Sequence, residues 1–307
     1  MEERRNNSRG VLCVGRVYCD IIFTGIDHLP KLGEEKFASN VSLHAGGGAY
    51  ITAAYLASLG RPVSLLATLP SGPFAGFIRD ELVQSGINID HCVESECQEG
   101  PQLTVALSMQ NDRAFITKRS SFALPSKVIN WQNYPTVSHL HIGELTTLAE
   151  YPKLAEDAHR AGVTVSLDCS WDDEVFARKD LDSLLSDVDI FLPNEVEYEQ
   201  LAKLGFRGEN TRLCVVKMGA SGARVIQDGE VLTRMAKPVD VVDTTGAGDA
   251  FNSGFINGWL NGINLEGCLE LGNECGARAV TVIGGFNVPD NPQSQSGSHK
   301  GGSHKEP

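Results

Sequence analysis

Short apolar runs alternate with amphipathic stretches along most of this chain. The segments at 11–17 (VLCVGRV), 62–69 (PVSLLATL) and 163–168 (VTVSLD) are nearly continuous in apolar residues, which is typical of strands covered on both faces. Between them, the stretches at 50–60 and 74–86 carry apolar residues at helical spacing and end in glycine. This alternation predicts parallel strands joined by right-handed helical crossovers. The expected fold class is therefore a three-layer α/β/α sandwich with a mostly parallel sheet.

Two stretches break the alternation. Residues 18–44 and about 100–121 contain strand-like patterns without helices between them, which predicts a small antiparallel sheet projecting from the core. After Phe286 the chain becomes polar and rich in Gly, Ser and Pro, so residues 287–307 are predicted to form a disordered tail. The chain is thus expected to form one domain over residues 1–286, with the small sheet as a lid.

Composition narrows the classes of function. The chain has 307 residues and a formal net charge of −13, which argues against a nucleic-acid partner because such proteins normally present a basic surface. No apolar run approaches the roughly 18 residues of a membrane span, and the first residues lack the pattern of a basic n-region followed by an apolar h-region, so secretion is not expected. The eight cysteines never form a C-x-x-C pair, which favours reduced thiols in a cytoplasmic protein over a zinc site.

The stretch at 241–255 (VVDTTGAGDAFNSGF) carries the clearest chemistry. Val239, Val241 and Val242 predict a strand that runs into a glycine turn, and the apolar residues from Ala250 onward predict a helix. The first amides of a helix are unpaired donors at the positive end of its dipole, so this turn is suited to holding an anion. It differs from the dinucleotide fingerprint, which needs a third glycine at Phe251, and from the Walker loop, which needs a lysine in place of Asp249.

Asp249 directly follows the turn, and the residues alone allow two roles for it. An acid here would repel a resting phosphate, but it could take the proton of an incoming hydroxyl. The amides of Gly246, Ala247 and Gly248 would then hold the transferring phosphoryl group. Equally, Asp249 could serve only to complement the dipole of the helix.

Four segments resemble, in chain order, the signatures of the ribokinase-like carbohydrate kinases, the phosphofructokinase B family. They are GGGAYITAAYLASLG at 46–60, PNEVE at 193–197, VVKMGASGA at 215–223 and DTTGAGDAF at 243–251. The resemblance extends over residues 11 to about 286. It implies a ribokinase-like fold with a β-sheet lid that closes over the acceptor and excludes water. It also implies ATP-dependent transfer of a phosphoryl group to a hydroxyl of a sugar or sugar-like acceptor.

The resemblance assigns catalytic and acceptor-side roles. Asp249 would be the general base, and the amides of Gly246, Ala247 and Gly248 would form the anion hole. On the acceptor side the matching positions are Asp20, Gly46, Gly47, Gly48 and Ile51. A carboxylate such as Asp20 suits a sugar because it accepts hydrogen bonds from two neighbouring hydroxyls. As a purely structural residue, Asp20 would be an acid in a turn at the end of a strand.

The resemblance also implies positions for ATP and for cations. The ATP side comprises Lys217, Gly219, Gly222 and Asn273, and Asn194 and Glu197 would act through Mg²⁺-bound water. Without a ligand, Asn194 and Glu197 would be read as a helix N-cap with its capping-box acid, and Lys217 as a charge at a strand end. Asp243, the Thr245 carbonyl and Gly284 align with a monovalent-cation site, for K⁺, that some members use.

Departures from the family pattern bear on the acceptor. Ribokinases proper carry a lysine and an asparagine where this chain has Gly48 and Ile51, which argues against free ribose. Tyr50 and Ile51 could line a pocket for a flatter acceptor such as a nucleoside, or could face the core. A phosphosugar acceptor would instead need converging cations, for which the candidates are Arg16, Lys36, Arg113, Lys118 and Arg119.

The sequence therefore predicts a carbohydrate kinase that uses ATP and Mg²⁺ and acts on a small sugar or nucleoside. K⁺ is a further candidate cofactor, because some members of the family use it. A nucleoside kinase of the same family is one alternative. A non-catalytic binding or regulatory protein on the kinase fold is another, because folds outlast chemistry. No nucleic-acid or membrane partner is expected, and the lids of two chains could pair in a homodimer.

Overall fold

The computed structural model describes residues 9–95, 102–109, 113–119, 122–208, 211–282 and 284–286. Its strands are β1 (Gly10–Val14), β2 (Tyr18–Thr24), β3 (Asn40–Gly46), β4 (Val63–Leu66), β5 (Thr68–Leu69), β6 (Val93–Glu94), β7 (Leu103–Ser108), β8 (Arg113–Lys118), β9 (Val137–Ile142), β10 (Thr164–Asp168), β11 (Ile190–Leu192), β12 (Leu213–Lys217), β13 (Ala223–Gln227) and β14 (Glu230–Arg234). Its α-helices are α1 (Gly48–Ser58), α2 (Ala75–Gln84), α3 (Leu145–Glu150), α4 (Leu154–Arg160), α5 (Asp173–Phe176), α6 (Leu181–Leu185), α7 (Glu195–Lys203), α8 (Ala247–Leu260) and α9 (Leu265–Ala279).

An eight-stranded sheet forms the centre of the molecule, in the order β14-β13-β12-β11-β10-β9-β1-β4. All neighbouring pairs from β4 to β12 are parallel, and only the β12–β13 and β13–β14 pairs are antiparallel. The expected mostly parallel sheet is confirmed.

Strand β1 shows why the apolar runs are continuous. Val11 and Cys13 pack into one apolar cluster with helix α1, whereas Leu12 and Val14 pack into another with helices α3 and α4. Successive side chains of a strand point to opposite faces, and both faces of this sheet are covered by helices. The three-layer arrangement is therefore confirmed.

A second, four-stranded sheet has the order β3-β2-β7-β8, and its strands come from the two stretches predicted to form the lid, with β3 extending two residues beyond position 44. The β2–β3 and β7–β8 pairs are antiparallel hairpins, but β2 and β7 run parallel. The prediction of a purely antiparallel sheet is thus wrong. The chain passes through α1, β4 and α2 between the two hairpins and returns in the same direction.

The predicted strand through Val239, Val241 and Val242 is also wrong. These residues are 42%, 60% and 58% exposed and belong to no strand, and the amides of Val242 and Asp243 donate to the Val280 carbonyl. The main sheet ends instead with the β13–β14 hairpin, which the sequence analysis did not predict. Strand propensity reflects burial on a pleated surface, and these valines have no such surface to cover.

Three further expectations concern the rest of the chain. The predicted tail at 287–307 and Cys97 lie outside the described residues. The other seven cysteines are free thiols. In the part of the chain that the structure describes, no helix is long and apolar enough to cross a membrane.

Candidate active site

The glycine turns that begin helices α1 and α8 meet beyond the carboxyl ends of strands β1 and β9. A Cβ atom placed on Gly48 would lie 2.6 Å from the Gly143 carbonyl oxygen and 3.0 Å from Asp249 Oδ1. Ligands of open α/β sheets bind at this edge. The structure therefore brings together two signatures that lie about two hundred residues apart in the sequence.

Gly246 is the N-cap of helix α8 and has a φ of 72°, a conformation that favours glycine. A Cβ at this position would overlap the carbonyl of Gly285. The helix begins at Ala247, so Gly248 and Asp249 lie in its first turn, where backbone amides point out of the helix end. The Ala247 amide makes a long bond of 3.3 Å to the Thr244 carbonyl. These positions fit an anion site.

Asp249 lies in a partly buried position among other charges. Its pKa is raised to about 8: burial contributes most, the Asp168 carboxylate adds to the shift, and the Lys217 ammonium opposes it. A carboxyl whose pKa lies near neutrality, in a cleft, is suited to take and release a proton.

Three side chains form a closed, buried cluster beneath this turn. Lys217 Nζ donates to Asp168 Oδ1 at 2.8 Å and to Asn252 Oδ1 at 3.2 Å, and Asn252 Nδ2 donates to Asp168 Oδ2 at 2.7 Å. Lys217 is thus no exposed strand-end charge. The sequence analysis missed Asp168 and Asn252. Asp168 could have been found as the last residue of a predicted parallel strand. Asn252 could have been found because it follows Asp249 by three residues and so lies on the same side of the helix.

Asp20 lies inside strand β2 rather than in a turn at its end. Its carboxylate fills the space where a Cβ on Gly46 would stand, and its cross-strand neighbours are His44 and Thr104. Burial raises the pKa of Asp20 to about 7, against the opposing effects of His44 and of a hydrogen bond from Thr104. A carboxylate in this buried position is suited to accept hydrogen bonds from the hydroxyls of a ligand that displaces water from it.

His44, which the sequence analysis did not single out, links this side to helix α2 and to the segment that follows helix α9. Its Nδ1 lies 3.5 Å from Glu81 Oε1, and its ring lies 3.6 Å from where a Cβ of Gly284 would be. The Glu81 carboxylate raises the pKa of His44 through a hydrogen bond and through its charge, and Asp20 and Asp243 add to this.

Ile51 and Tyr50 both face the core, so the structure supports the second of the two interpretations given for them. Ile51 is 5% exposed, and its Cδ1 would lie 2.6 Å from a Cβ on Gly285. Tyr50 is fully buried in the same apolar cluster as Ala53. Ile51 therefore packs against Gly285, which in turn lies against the Gly246 turn of helix α8.

Asn194 and Glu197 form a complete capping box at the start of helix α7. The Glu197 amide donates to Asn194 Oδ1 at 2.9 Å, and the Asn194 amide donates to Glu197 Oε2 at 2.8 Å. The structural role of this pair is therefore present. A backbone bridge to Lys217 also places Asn194 beside the charged cluster.

A cleft of about 700 Å³ opens between helix α9 and the segment that follows strand β14. Asn273, Arg234 and Lys237 are among its lining residues, and Asn273 Nδ2 donates to the Arg234 carbonyl at 3.1 Å. Gly222 packs tightly against the backbone at Arg234, while no atom lies within 4 Å of where a Cβ on Gly219 would stand. The predicted ATP-side residues Gly222 and Asn273 therefore meet at one edge of this cleft.

Asp243, Thr245 and Gly284 also converge. Asp243 Oδ1 accepts from the Thr245 amide and hydroxyl at 2.9 and 2.8 Å, and Oδ2 accepts from the Gly284 amide at 2.9 Å. These bonds order the loop that leads into Gly246. Among the described residues, no group of three or more His, Cys, Asp and Glu side chains could hold a metal ion.

Comparison with known proteins identifies the family to which this chain is similar. A family model described as pfkB family carbohydrate kinase matches residues 8–292. The chain is 27% identical over 289 residues to the ATP-dependent ribose-1-phosphate kinase of Halopiger xanaduensis, and the match covers 91% of this chain and 94% of that protein.

Solved structures show the same fold. Ribokinase of Arabidopsis thaliana, complexed with ribose and ATP, has a TM-score of 0.70 at 24% identity over 90% of this chain and 93% of its own. The nucleoside kinase of Methanocaldococcus jannaschii has a TM-score of 0.74 at 22% identity over 90% and 93%. Both likenesses support the α/β/α architecture with its second sheet.

Proposed function

The chain belongs to the pfkB family of carbohydrate kinases, and we propose that it transfers the γ-phosphoryl group of ATP to a hydroxyl of a sugar or sugar-like acceptor, with Asp249 as the general base. One observation carries this proposal: Asp249 Oδ1, the first turn of helix α8 and the Gly48 backbone meet at one point. A proton acceptor, an anion site and an acceptor wall are then within reach of a single substrate hydroxyl.

The described residues account for each movement of charge. Asp249 takes the proton of the acceptor hydroxyl as its oxygen attacks the γ-phosphorus. The bond from that phosphorus to the bridging oxygen breaks, and ADP leaves with the electron pair. The amides of Gly246, Ala247 and Gly248 stabilise the negative charge on the transferring group. Asp20 holds neighbouring hydroxyls of the acceptor.

ATP, Mg²⁺ and a monovalent cation are part of this proposal. ATP would occupy the cleft lined by Asn273 and bordered by Gly222, with Gly219 and Lys217 on its phosphate side. The capping box uses Oε2 of Glu197, and its other oxygen suits a water of Mg²⁺, which neutralises phosphate charge when bound. The carboxylate of Asp243 and the Thr245 carbonyl are oxygen donors that suit K⁺, and the bonds to Gly284 hold them in one cluster.

Three of the five cations considered for a phosphosugar are already paired with carboxylates, which favours an uncharged acceptor. Arg16 is buried and paired with Glu144 at 2.9 Å and with Glu150. Arg119 is paired with Asp172, and Lys36 lies between Asp27 and Glu34. Each of these three candidate cations already has carboxylate partners, which a substrate phosphate would have to displace.

The proposal also covers the cellular compartment of the enzyme and its oligomeric state. The seven free cysteines among the described residues suit a reducing compartment such as the cytoplasm. Val41, Leu43 and Ile116 expose apolar side chains on one face of the lid sheet, which supports pairing of two lids in a homodimer.

The test is an ADP-release screen with Mg-ATP over pentoses, hexoses, phosphosugars and nucleosides. With the best acceptor, Asp249→Asn should lower turnover by about 10²-fold or more while ATP binding is kept. Asp187→Asn, the same change at an exposed position, should leave turnover unchanged. Near-normal turnover in Asp249→Asn would remove Asp249 as the base. If none of the acceptors tested leads to ADP release, a non-catalytic binding protein is favoured instead.

A further inference from the structure

In the buried cluster of Asp168, Lys217 and Asn252, the hydrogen bonds leave one way to assign donors and acceptors. Asn252 gives its Nδ2 to Asp168, so its oxygen must face Lys217. Asp168 Oδ1 also accepts from the Cys169 amide at 2.8 Å. Both carboxylate oxygens of Asp168 are therefore in use, and the Lys217 ammonium is fixed from two sides.

Stability alone is a poor explanation for this cluster. Asn252 is fully buried, and the side chains of Lys217 and Asp168 are only 11% and 12% exposed. Buried ion pairs contribute little net stability, because the cost of removing both charges from water offsets their attraction. A cluster of this kind at a sheet edge that binds substrate calls for a functional explanation.

The position of the ammonium supplies that explanation. Lys217 Nζ lies 3.4 Å from the place where a Cβ of Gly248 would stand, which is beside the first amides of helix α8. Within the described part of the chain, the bonds to Asp168 and Asn252 occupy two of its three N–H donors, so one is left for a phosphate oxygen.

We propose that Asp168 and Asn252 are positioning residues that hold the Lys217 ammonium at the anion hole, where it contacts the transferring phosphoryl group. A lysine side chain is long and flexible, so its charge assists transfer only if it is fixed before the reaction. Asp168 supplies the counter-charge and Asn252 the second anchor. The inference rests on the proposed function, because the phosphoryl group is what Lys217 would meet.

The arrangement gives Asp168 a different role from Asp249. Asp168 already accepts three hydrogen bonds, from Lys217, Asn252 and the Cys169 amide, and these bonds engage both of its carboxylate oxygens. It acts through Lys217. Removing its charge should therefore lower turnover with little effect on acceptor binding.

An exchange of the two anchors tests this directly. Asp168→Asn should lower kcat by roughly ten- to a hundredfold and leave the acceptor KM within about threefold, since the lost interaction is made in the transition state. The double variant D168N/N252D moves the carboxylate to the other anchor and keeps the number of atoms. It should regain at least about tenfold of the lost kcat.

A second set of variants, a double-mutant cycle, distinguishes positioning of Lys217 by Asp168 from a general packing role of Asp168. Lys217→Met should lower kcat at least as much as Asp168→Asn, and the double variant K217M/D168N should be no worse than K217M alone. Asp189→Asn is the matched control. Asp189 is a carboxylate with 12% side-chain exposure at the opposite edge of the same sheet, where it accepts from the Val165 amide. This variant should lower the melting temperature without lowering kcat.

Wild-type kcat in Asp168→Asn or Lys217→Met would overturn the inference. A D168N/N252D protein that melts like the wild type but has the kcat of D168N would overturn it as well. If D168N does not fold, Lys217→Met and the exchange variant still decide. Failure of the proposed function gives a different pattern: the wild type releases no ADP, or Asp249→Asn stays active.

Discussion

At the scale of single residues, a change at Asp20, the proposed acceptor-binding carboxylate, would distinguish acceptor binding from the chemical step. It lies in strand β2 at the root of the lid sheet, with His44 and Thr104 across from it. Only the kinase interpretation brings a residue so early in the chain to the same acceptor as Asp249. Its position inside a strand gives it no turn to cap, so a stabilising role through a turn is not available to it.

Replacing Asp20 by Ala should raise the acceptor KM by roughly ten- to a hundredfold, because each charge-assisted hydrogen bond to a hydroxyl is worth about 1.5–3 kcal/mol. The KM for ATP should change little. Both constants and the melting temperature can be measured on one preparation. An unchanged acceptor KM would take Asp20 out of the site.

Stability and activity should respond to pH in opposite directions. The pKa values of Asp20 and Asp249, raised to about 7 and 8, exceed those of an exposed carboxyl. Their stabilising contribution is therefore complete below about pH 4 and is lost as the pH rises through 7 and 8. The ionised forms, in contrast, are the ones that bind hydroxyls and accept a proton. We expect kcat/KM to rise over this window as the melting temperature of the free enzyme falls.

Asp249→Asn should flatten that fall, because the variant has no carboxyl at position 249 to ionise. Melting temperatures from pH 5 to 9 for the variant and the wild type test this. Two parallel curves would contradict a raised pKa at Asp249.

At the scale of elements, helices α8 and α9 approach each other through glycine. A Cβ on Gly254 would overlap the Leu271 carbonyl, and one on Gly272 would lie 2.7 Å from the Phe251 ring. Helix α8 carries Asp249, the proposed base, and Asn252, so this close contact fixes both residues against the body of the protein.

Gly254→Ala should therefore lower stability by about 1–3 kcal/mol, because the added methyl group forces the two helices apart. Gly76→Ala is the matched control. Gly76 lies on the exposed side of helix α2 with nothing within 4 Å of a Cβ, so the same change should raise stability by up to about 1 kcal/mol. Chemical denaturation of the two variants compares them, and equal effects would contradict tight packing at Gly254.

At the scale of the whole molecule, the ion pair between Arg119 and Asp172 is one of the contacts that join the lid sheet to the α/β core. Arg119 follows strand β8 and donates to Asp172 Oδ2 at 2.6 Å. Asp172 also caps helix α5, through bonds from the Glu174 and Val175 amides, and accepts from Thr146. The core partner is thus held rigidly, while Arg119 is 43% exposed in its side chain and can exchange with solvent.

Arg119→Ala should loosen closure of the lid and raise acceptor-independent ATP hydrolysis by a few-fold relative to transfer, because water then reaches the phosphoryl group. Lys36→Ala is the control, since among the described residues Lys36 pairs with Asp27 and Glu34 of the loop between β2 and β3 and with no residue of the core. ADP release with and without acceptor gives the ratio. An unchanged ratio in Arg119→Ala would show that this pair does not control closure.

The sequence by itself determined the architecture and the glycine turn that begins helix α8. Strand β1 is covered on both faces, so its apolar run is continuous, and that local pattern was enough to predict a sheet between helix layers. Turn chemistry is equally local. Gly246 and Asp249 were predicted at a helix start because glycine and an early acid have a direct effect on the backbone there.

Tertiary structure alone decided which distant groups meet. Asp168 is 49 residues from Lys217 and 84 from Asn252, and no spacing in the sequence relates them. Their contact follows from strand order, which places β10 and β12 on either side of β11 at the edge where helix α8 begins. The exposed Val239–Val242 segment and the parallel β2–β7 pair were mispredicted for the same reason. Local patterns report which side chains favour burial or a given backbone shape, whereas partner choice depends on surfaces that only the folded chain assembles.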